Sequence, residues 1–306
     1  MFRSLAPLLA LSALRGAAAA PPEQIHLALT EEPGKMRVTW ATMQPRDGPG
    51  HVVFGTANVT AAGNAYTYAG DNFAGTLHTA VLTGLVTGVR YSYNVVSASG
   101  DSSAPLTFRY QREARAISLL AYGDMGVKNS MGTVRQVDKE AVSGQYDLFL
   151  NVGDTSYAND DGPVGRNGYI FDEHFRNLQP HAGRMPFMTV PGNHERQYEF
   201  APYVARLPMP QMANASNTLR PFYYSIDYGP VHVIGYSTEH PISAGSEQYE
   251  FIKRDLAAAA APSARAMRPF IIMFTHHPMY CSSLVTWSRC DNSSHAYNKR
   301  VQQHAC

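Results

Sequence analysis

The chain has 306 residues, 44% of them apolar and 16% charged, which is enough to bury a sizeable core and excludes a disordered polymer. Its 25 basic and 24 acidic side chains leave a net charge of +1, which gives no electrostatic case for a nucleic-acid partner. No run of about 18 uncharged apolar residues is present, so no membrane span is expected.

Residues 1–20 read MFRSLAPLLALSALRGAAAA. A basic start at Arg3, an apolar run from Leu5 to Leu14 and the small residues Ala18 to Ala20 describe a secretory signal peptide, too short for a stable span. Asn-x-Ser/Thr glycosylation acceptors at Asn58, Asn214 and Asn292 agree with a secreted or lysosomal route. The cysteines are Cys281, Cys290 and Cys306. The first two can close a small disulfide loop, which leaves Cys306 over.

Residues 21–112 read as a β-sandwich. Met36 to Trp40, His51 to Phe54, His78 to Leu82 and Tyr91 to Val96 alternate in character and are separated by Gly, Asn, Asp and Pro clusters. Trp40 is a core anchor, and the run from Leu82 to Tyr91 resembles the turn-then-tyrosine entry of a fibronectin type III-like strand. No acid, base or metal-ligand cluster occurs here, so the module reads as structural.

Residues 113–306 change texture. Ala116 to Tyr122, Tyr146 to Val152, Met185 to Val190 and Phe270 to Phe274 are apolar runs of the kind buried on both faces of a sheet. Val134 to Ser143 has helical spacing. Ser246 caps a second helix, with Tyr249, Ile252 and Leu256 on one stripe, and the alanines at 257–261 end it before a Pro-containing loop. Strands alternating with helices imply an α/β layered domain.

Chemistry follows each of these strands. The first ends in Gly123-Asp124-Met125-Gly126, the second in Gly153-Asp154-Thr155-Ser156-Tyr157, the third in Gly192-Asn193-His194-Glu195, and the last in His276-His277-Pro278. Functional groups of open α/β sheets collect beyond the carboxyl ends of strands, and glycine beside each acid lets the backbone turn sharply. Each fragment alone also fits a plain turn; the four together form an oxygen and nitrogen set suited to first-row cations. An Asp shared by two cations can hold them about 3.5–4 Å apart. A tyrosine ligand must lose a proton with a free pKa of about 10, which favours a hard trivalent ion such as Fe(III).

The series Asp-x-Gly, Gly-Asp-x-x-Tyr, Gly-Asn-His-Glu and x-x-His-x-Pro resembles the purple acid phosphatases of the metallophosphoesterase superfamily, in their plant-like animal form. The preceding sandwich resembles the N-terminal domain of their larger members. The resemblance implies that Asp124 and Tyr157 ligate Fe(III), that Asp154 bridges to a divalent Fe, Zn or Mn, and that Asn193 and His276 ligate that second ion. It implies hydrolysis of a small phosphate monoester by a metal-bound hydroxide, with His194 outside the ligand set helping to protonate the leaving oxygen. Glu195 stays open between orienting His194 and serving as a solvated or helix-starting acid.

One family element, Gly-His-x-His, is not matched after His277. His295, in Asn292-Ser-Ser-His295-Ala-Tyr297, and His304 lack the surrounding pattern. The expectation is a domain lacking its last strands and one imidazole per metal. That keeps two alternatives in view: a catalytically weak or silent product of the same family, and a phosphodiesterase of the wider group, against which Tyr157 argues. Sequence leaves the oligomeric state undetermined.

Overall fold

The computed structural model describes residues 20–44, 46–60, 70–128, 130–161, 163, 166–210 and 222–278. Residues 1–19 of the signal peptide expected over 1–20 lie outside the described residues, as do Asn214, Asn292, the expected Cys281–Cys290 pair, His295 and His304.

Seven strands come first: β1 (Glu23–Leu29), β2 (Met36–Thr42), β3 (His51–Phe54), β4 (Ala57–Thr60), β5 (Thr76–Leu82), β6 (Arg90–Val96) and β7 (Leu106–Arg109). They form two antiparallel sheets, ordered β1-β2-β5 and β4-β3-β6-β7. Residues facing inward from both sheets build the core, as sandwich packing requires. Trp40 is fully buried and stacks on His78, its cross-strand partner, with ring centroids 5.3 Å apart. The Tyr91 hydroxyl accepts the Val86 N–H at 2.8 Å, the hydrogen bond of a tyrosine corner at the entry to β6.

The α/β part follows as β8 (Leu119–Tyr122), α1 (Met131–Ser143), β9 (Leu148–Asn151), α2 (Ala158–Asp161), α3 (Gly168–Ala182), β10 (Phe187–Thr189), a 3-10 stretch (Asn193–Phe200), α4 (Ala201–Arg206), β11 (Tyr224–Tyr228), β12 (Val231–Gly235), α5 (Glu247–Ala260), α6 (Pro262–Met267) and β13 (Phe270–Phe274). One sheet is wholly parallel, ordered β10-β9-β8; the other is ordered β11-β12-β13, with β12 and β13 parallel. The two sheets share one hydrophobic core, stitched by the Tyr224 hydroxyl to the Thr189 carbonyl at 2.9 Å and the Tyr228 hydroxyl to the Asp147 carbonyl at 2.9 Å.

Some local expectations change. Strands β9 and β10 are buried throughout, whereas β8 and β13, each at one edge of its sheet among the described residues, stay half-exposed. Ser246 caps α5 by accepting the Tyr249 N–H, and the alanines extend that helix to Ala260. Pro262 then begins α6 rather than a loop, because the first turn of a helix has no use for the N–H that proline lacks.

The sandwich is fixed to the α/β part by a buried polar cluster. Arg206 donates to Asp172 at 2.8 Å and to Gln24 at 2.6 Å, Gln24 donates to Asp172 at 3.1 Å, and the Arg206 guanidinium lies 4.4 Å from the Phe73 ring centroid. A charge pair this deep is tolerated only because each partner is hydrogen-bonded.

Candidate metal centre

The carboxyl ends of β8, β9, β10 and β13 converge, and the loops that leave them are held against one another. Asp124 N–H donates to the Gly153 carbonyl at 3.2 Å, and Gly126 N–H to the Thr155 carbonyl at 2.7 Å. Close approach requires glycine at two positions. A Cβ on Gly192 would stand 2.1 Å from Asp154 Oδ1, and one on Gly123 would stand 2.4 Å from a Val152 methyl. The sharp turns are not made by glycine alone: Asp124, Asp154 and Tyr157 themselves take left-handed backbone angles, with φ of 54°, 49° and 55°. Non-glycine residues adopt that conformation at a cost of order 1–3 kcal/mol each.

The result is a tight donor set. One ligand-type atom from each of Asp124, Asp154 and His276 lies within 4.8 Å of the others. The Tyr157 hydroxyl is 2.7 Å from Asp124 Oδ1. His276 Nε2 is 3.1 Å from Asp154 Oδ2 and 3.2 Å from Asn193 Oδ1. All five residues singled out in the sequence therefore meet, Asp154 at the buried floor and Asp124 at the exposed mouth.

The electrostatics suit a cation. Burial pushes the Tyr157 hydroxyl well above its usual range, and the Asp124 and Asp154 carboxylates push it further, so the phenolate forms only if positive charge arrives. Burial alone would lower the His276 pKa, but its hydrogen bond and charge interaction with Asp154 carry it to about 9. Asp154 responds in kind: desolvation pulls it up, and the two histidines more than offset that, leaving it below its ordinary value.

His194 sits beside this set. Its Nδ1 is 2.9 Å from Asn159 Oδ1 and 3.4 Å from Asp160 Oδ2, its ring lies 4.1 Å from that of Tyr157, and its Nε2 is 3.7 Å from Asp154 Oδ2. Glu195 lies in the first turn of the 3-10 stretch but is neither solvated nor turned toward His194. At 2% exposure its carboxylate accepts four hydrogen bonds, from the N–H groups of Asp154, Thr155 and Gly192 and the Thr155 hydroxyl. It locks the loops after β9 and β10 together. Sequence reasoning missed Asn159, the partner of His194; its place two residues after Tyr157, at the start of a helix, was the available signal.

Two family signatures match the chain: "Purple acid Phosphatase, N-terminal domain" over residues 22–110 and "Calcineurin-like phosphoesterase" over residues 117–302. The chain belongs to the purple acid phosphatase family. It is 34% identical over 282 residues to human "Acid phosphatase type 7", covering 88% of this chain and 61% of that protein. It is 28% identical to "Probable inactive purple acid phosphatase 9" of Arabidopsis thaliana, covering 86% of this chain and 48% of that one. The purple acid phosphatase from yellow lupin seeds shares the fold at a TM-score of 0.71 and 24% identity, over 86% of this chain and 52% of its own. The chain thus spans about three-fifths of the length of the human relative.

Proposed function

We propose that the chain hydrolyses phosphate monoesters with two cations held by its strand-end loops. The observation that carries this reading is the convergence of Asp124, Asp154, Tyr157, Asn193 and His276 around one point. Asp124 and Tyr157 would hold Fe(III), Asn193 and His276 a divalent Fe, Zn or Mn, and Asp154 would bridge; phenolate and carboxylate suit the harder ion, imidazole the softer. When bound, such a pair neutralises ester oxygens and makes a water acidic enough to attack phosphorus.

The chain's own residues do the rest. Asp154, pinned by the His194 N–H at 2.9 Å and backed by Glu195, has one orientation open to it. His276 is aimed by its Nδ1, and the exposed mouth at Asp124 admits the ester. His194, with Nδ1 engaged by Asn159 and Asp160, presents Nε2 to the departing oxygen and acts there as the general acid. The leader sequence and the acceptor at Asn58, exposed on strand β4, support a secretory route.

A second reading, a silent member of the family, draws on the printed name of the Arabidopsis relative. Turnover of a mono- and a diester by the purified full chain, alongside its metal content, separates the readings. Two metals per chain and preferred monoester turnover support the phosphatase. Metal without turnover supports the silent form, and preferred diester turnover overturns the monoester assignment.

A further inference from the structure

We infer that Glu239 is a positioning residue for the divalent half of the centre, an inference that rests on the two-cation reading above. Glu239 lies on the loop after β12, with its side chain at 0% exposure. Neither carboxylate oxygen accepts a hydrogen bond among the described residues. What accompanies the buried carboxylate is an imidazole and a guanidinium: His277 Nε2 at 2.9 Å from Oε1 and Arg196 Nη1 at 3.8 Å from Oε2.

Those neighbours are placed in a telling way. His277 directly follows His276, and Arg196 stands three residues past Asn193 on the 3-10 stretch that follows β10. The two loops that carry the proposed divalent-ion ligands thus meet on one carboxylate from a third loop. The same third loop makes further ties to β13 and its exit: Thr238 Oγ1 accepts the His277 N–H at 3.3 Å, and Tyr236 N–H reaches the Phe274 carbonyl at 3.2 Å. These two contacts of Glu239 do not reach the loops after β8 and β9, which carry Asp124 and Tyr157. An interaction so placed acts on one metal position and spares the other. Partners behind metal ligands set ligand orientation, and their loss typically lowers metal affinity about 10–100-fold.

The test uses Glu239→Gln in the full chain loaded with Fe(III) and titrated with Zn²⁺. The zinc Kd is expected to rise about 10–100-fold while iron stoichiometry and the visible absorption stay those of the parent. A zinc Kd within threefold of the parent overturns the inference, as does parallel loss of iron and zinc, which marks general loosening. Should Glu239→Gln fail to fold, Arg196→Met, at a side chain 56% exposed, removes one partner and is expected to weaken zinc several-fold; an unchanged Kd there overturns the inference equally. Hydrogen exchange of metal-free protein at residues 193–196 and 276–277 tests the clamp without any metal: Glu239→Gln, or Arg196→Met in its place, should speed it about tenfold or more, and unchanged exchange overturns the clamp. If the parent binds no metal, the two-cation reading fails by itself and the exchange result still decides the clamp.

Discussion

His276 Nδ1 lies 2.9 Å from the carbonyl oxygen of Val152. A carbonyl only accepts, so Nδ1 carries a proton and Nε2 is the nitrogen turned toward Asp154 and Asn193. The backbone of one strand end thereby chooses which imidazole nitrogen the centre uses.

Ligation at this centre must remove protons. His276, at about 9, and Tyr157, raised by burial and by Asp124 and Asp154, both hold theirs at pH 7 in the metal-free protein. Loading both cations should release about two protons per chain and should tighten as pH rises. Calorimetry in buffers of different ionisation enthalpy measures the release; none at all contradicts the ligand roles of these two residues.

His194 contacts the centre without belonging to the five-residue donor set. His194→Ala is expected to lower kcat about 10²–10³-fold with metal content held near the parent level. Metal analysis and turnover on the same preparation check this, and equal losses of both would mean that His194 is a ligand.

Glu195 is a structural brace on which four hydrogen-bond donors converge. Glu195→Gln leaves, in either amide orientation, an NH₂ facing at least one backbone N–H that only donates, and should cost about 2–4 kcal/mol of stability. Denaturant unfolding of the metal-free protein reads it, and a loss below about 1 kcal/mol contradicts the role.

The five donor residues were legible because they carry chemistry and follow apolar runs, a pattern that survives in one dimension. The left-handed angles at Asp124, Asp154 and Tyr157 were not, since only glycine advertises that conformation in sequence. Helix α3 escaped notice through Pro180 in its last turn, which reads as a breaker until the preceding turns are seen to carry it. The hairpin of β11 and β12 did signal itself, with Tyr224, Ile226 and Tyr228 alternating against Ser225 and Asp227 ahead of Gly229-Pro230, but it bears no motif. Glu239 and the Arg206–Asp172–Gln24 cluster depend on distant segments meeting, and no local pattern encodes that.

Stability should also depend on His232, which bridges Asp227 at 2.7 Å and Asp255 at 2.9 Å. Hydrogen bonds to the two carboxylates raise its pKa to about 9 against partial burial. A histidine raised on folding stabilises fully below its unfolded value near 6.5, and that contribution is lost as pH climbs toward 9. Allowing for solvent screening of a half-buried group, the loss should be about 1–2 kcal/mol. Thermal unfolding from pH 6 to 9.5 measures it, with His232→Gln expected to flatten the curve; an unchanged slope contradicts the pairing.

The most direct measurement is metal content together with the visible spectrum of the purified chain and of Tyr157→Phe. Two metal ions per chain, one of them iron, with an absorption band that Tyr157→Phe abolishes, is the expected result, because an Fe(III)–phenolate pair absorbs visible light and an iron site without the phenolate does not. A parent protein that holds no stoichiometric iron, or whose band persists in Tyr157→Phe, contradicts the assignment of these residues to a two-cation centre.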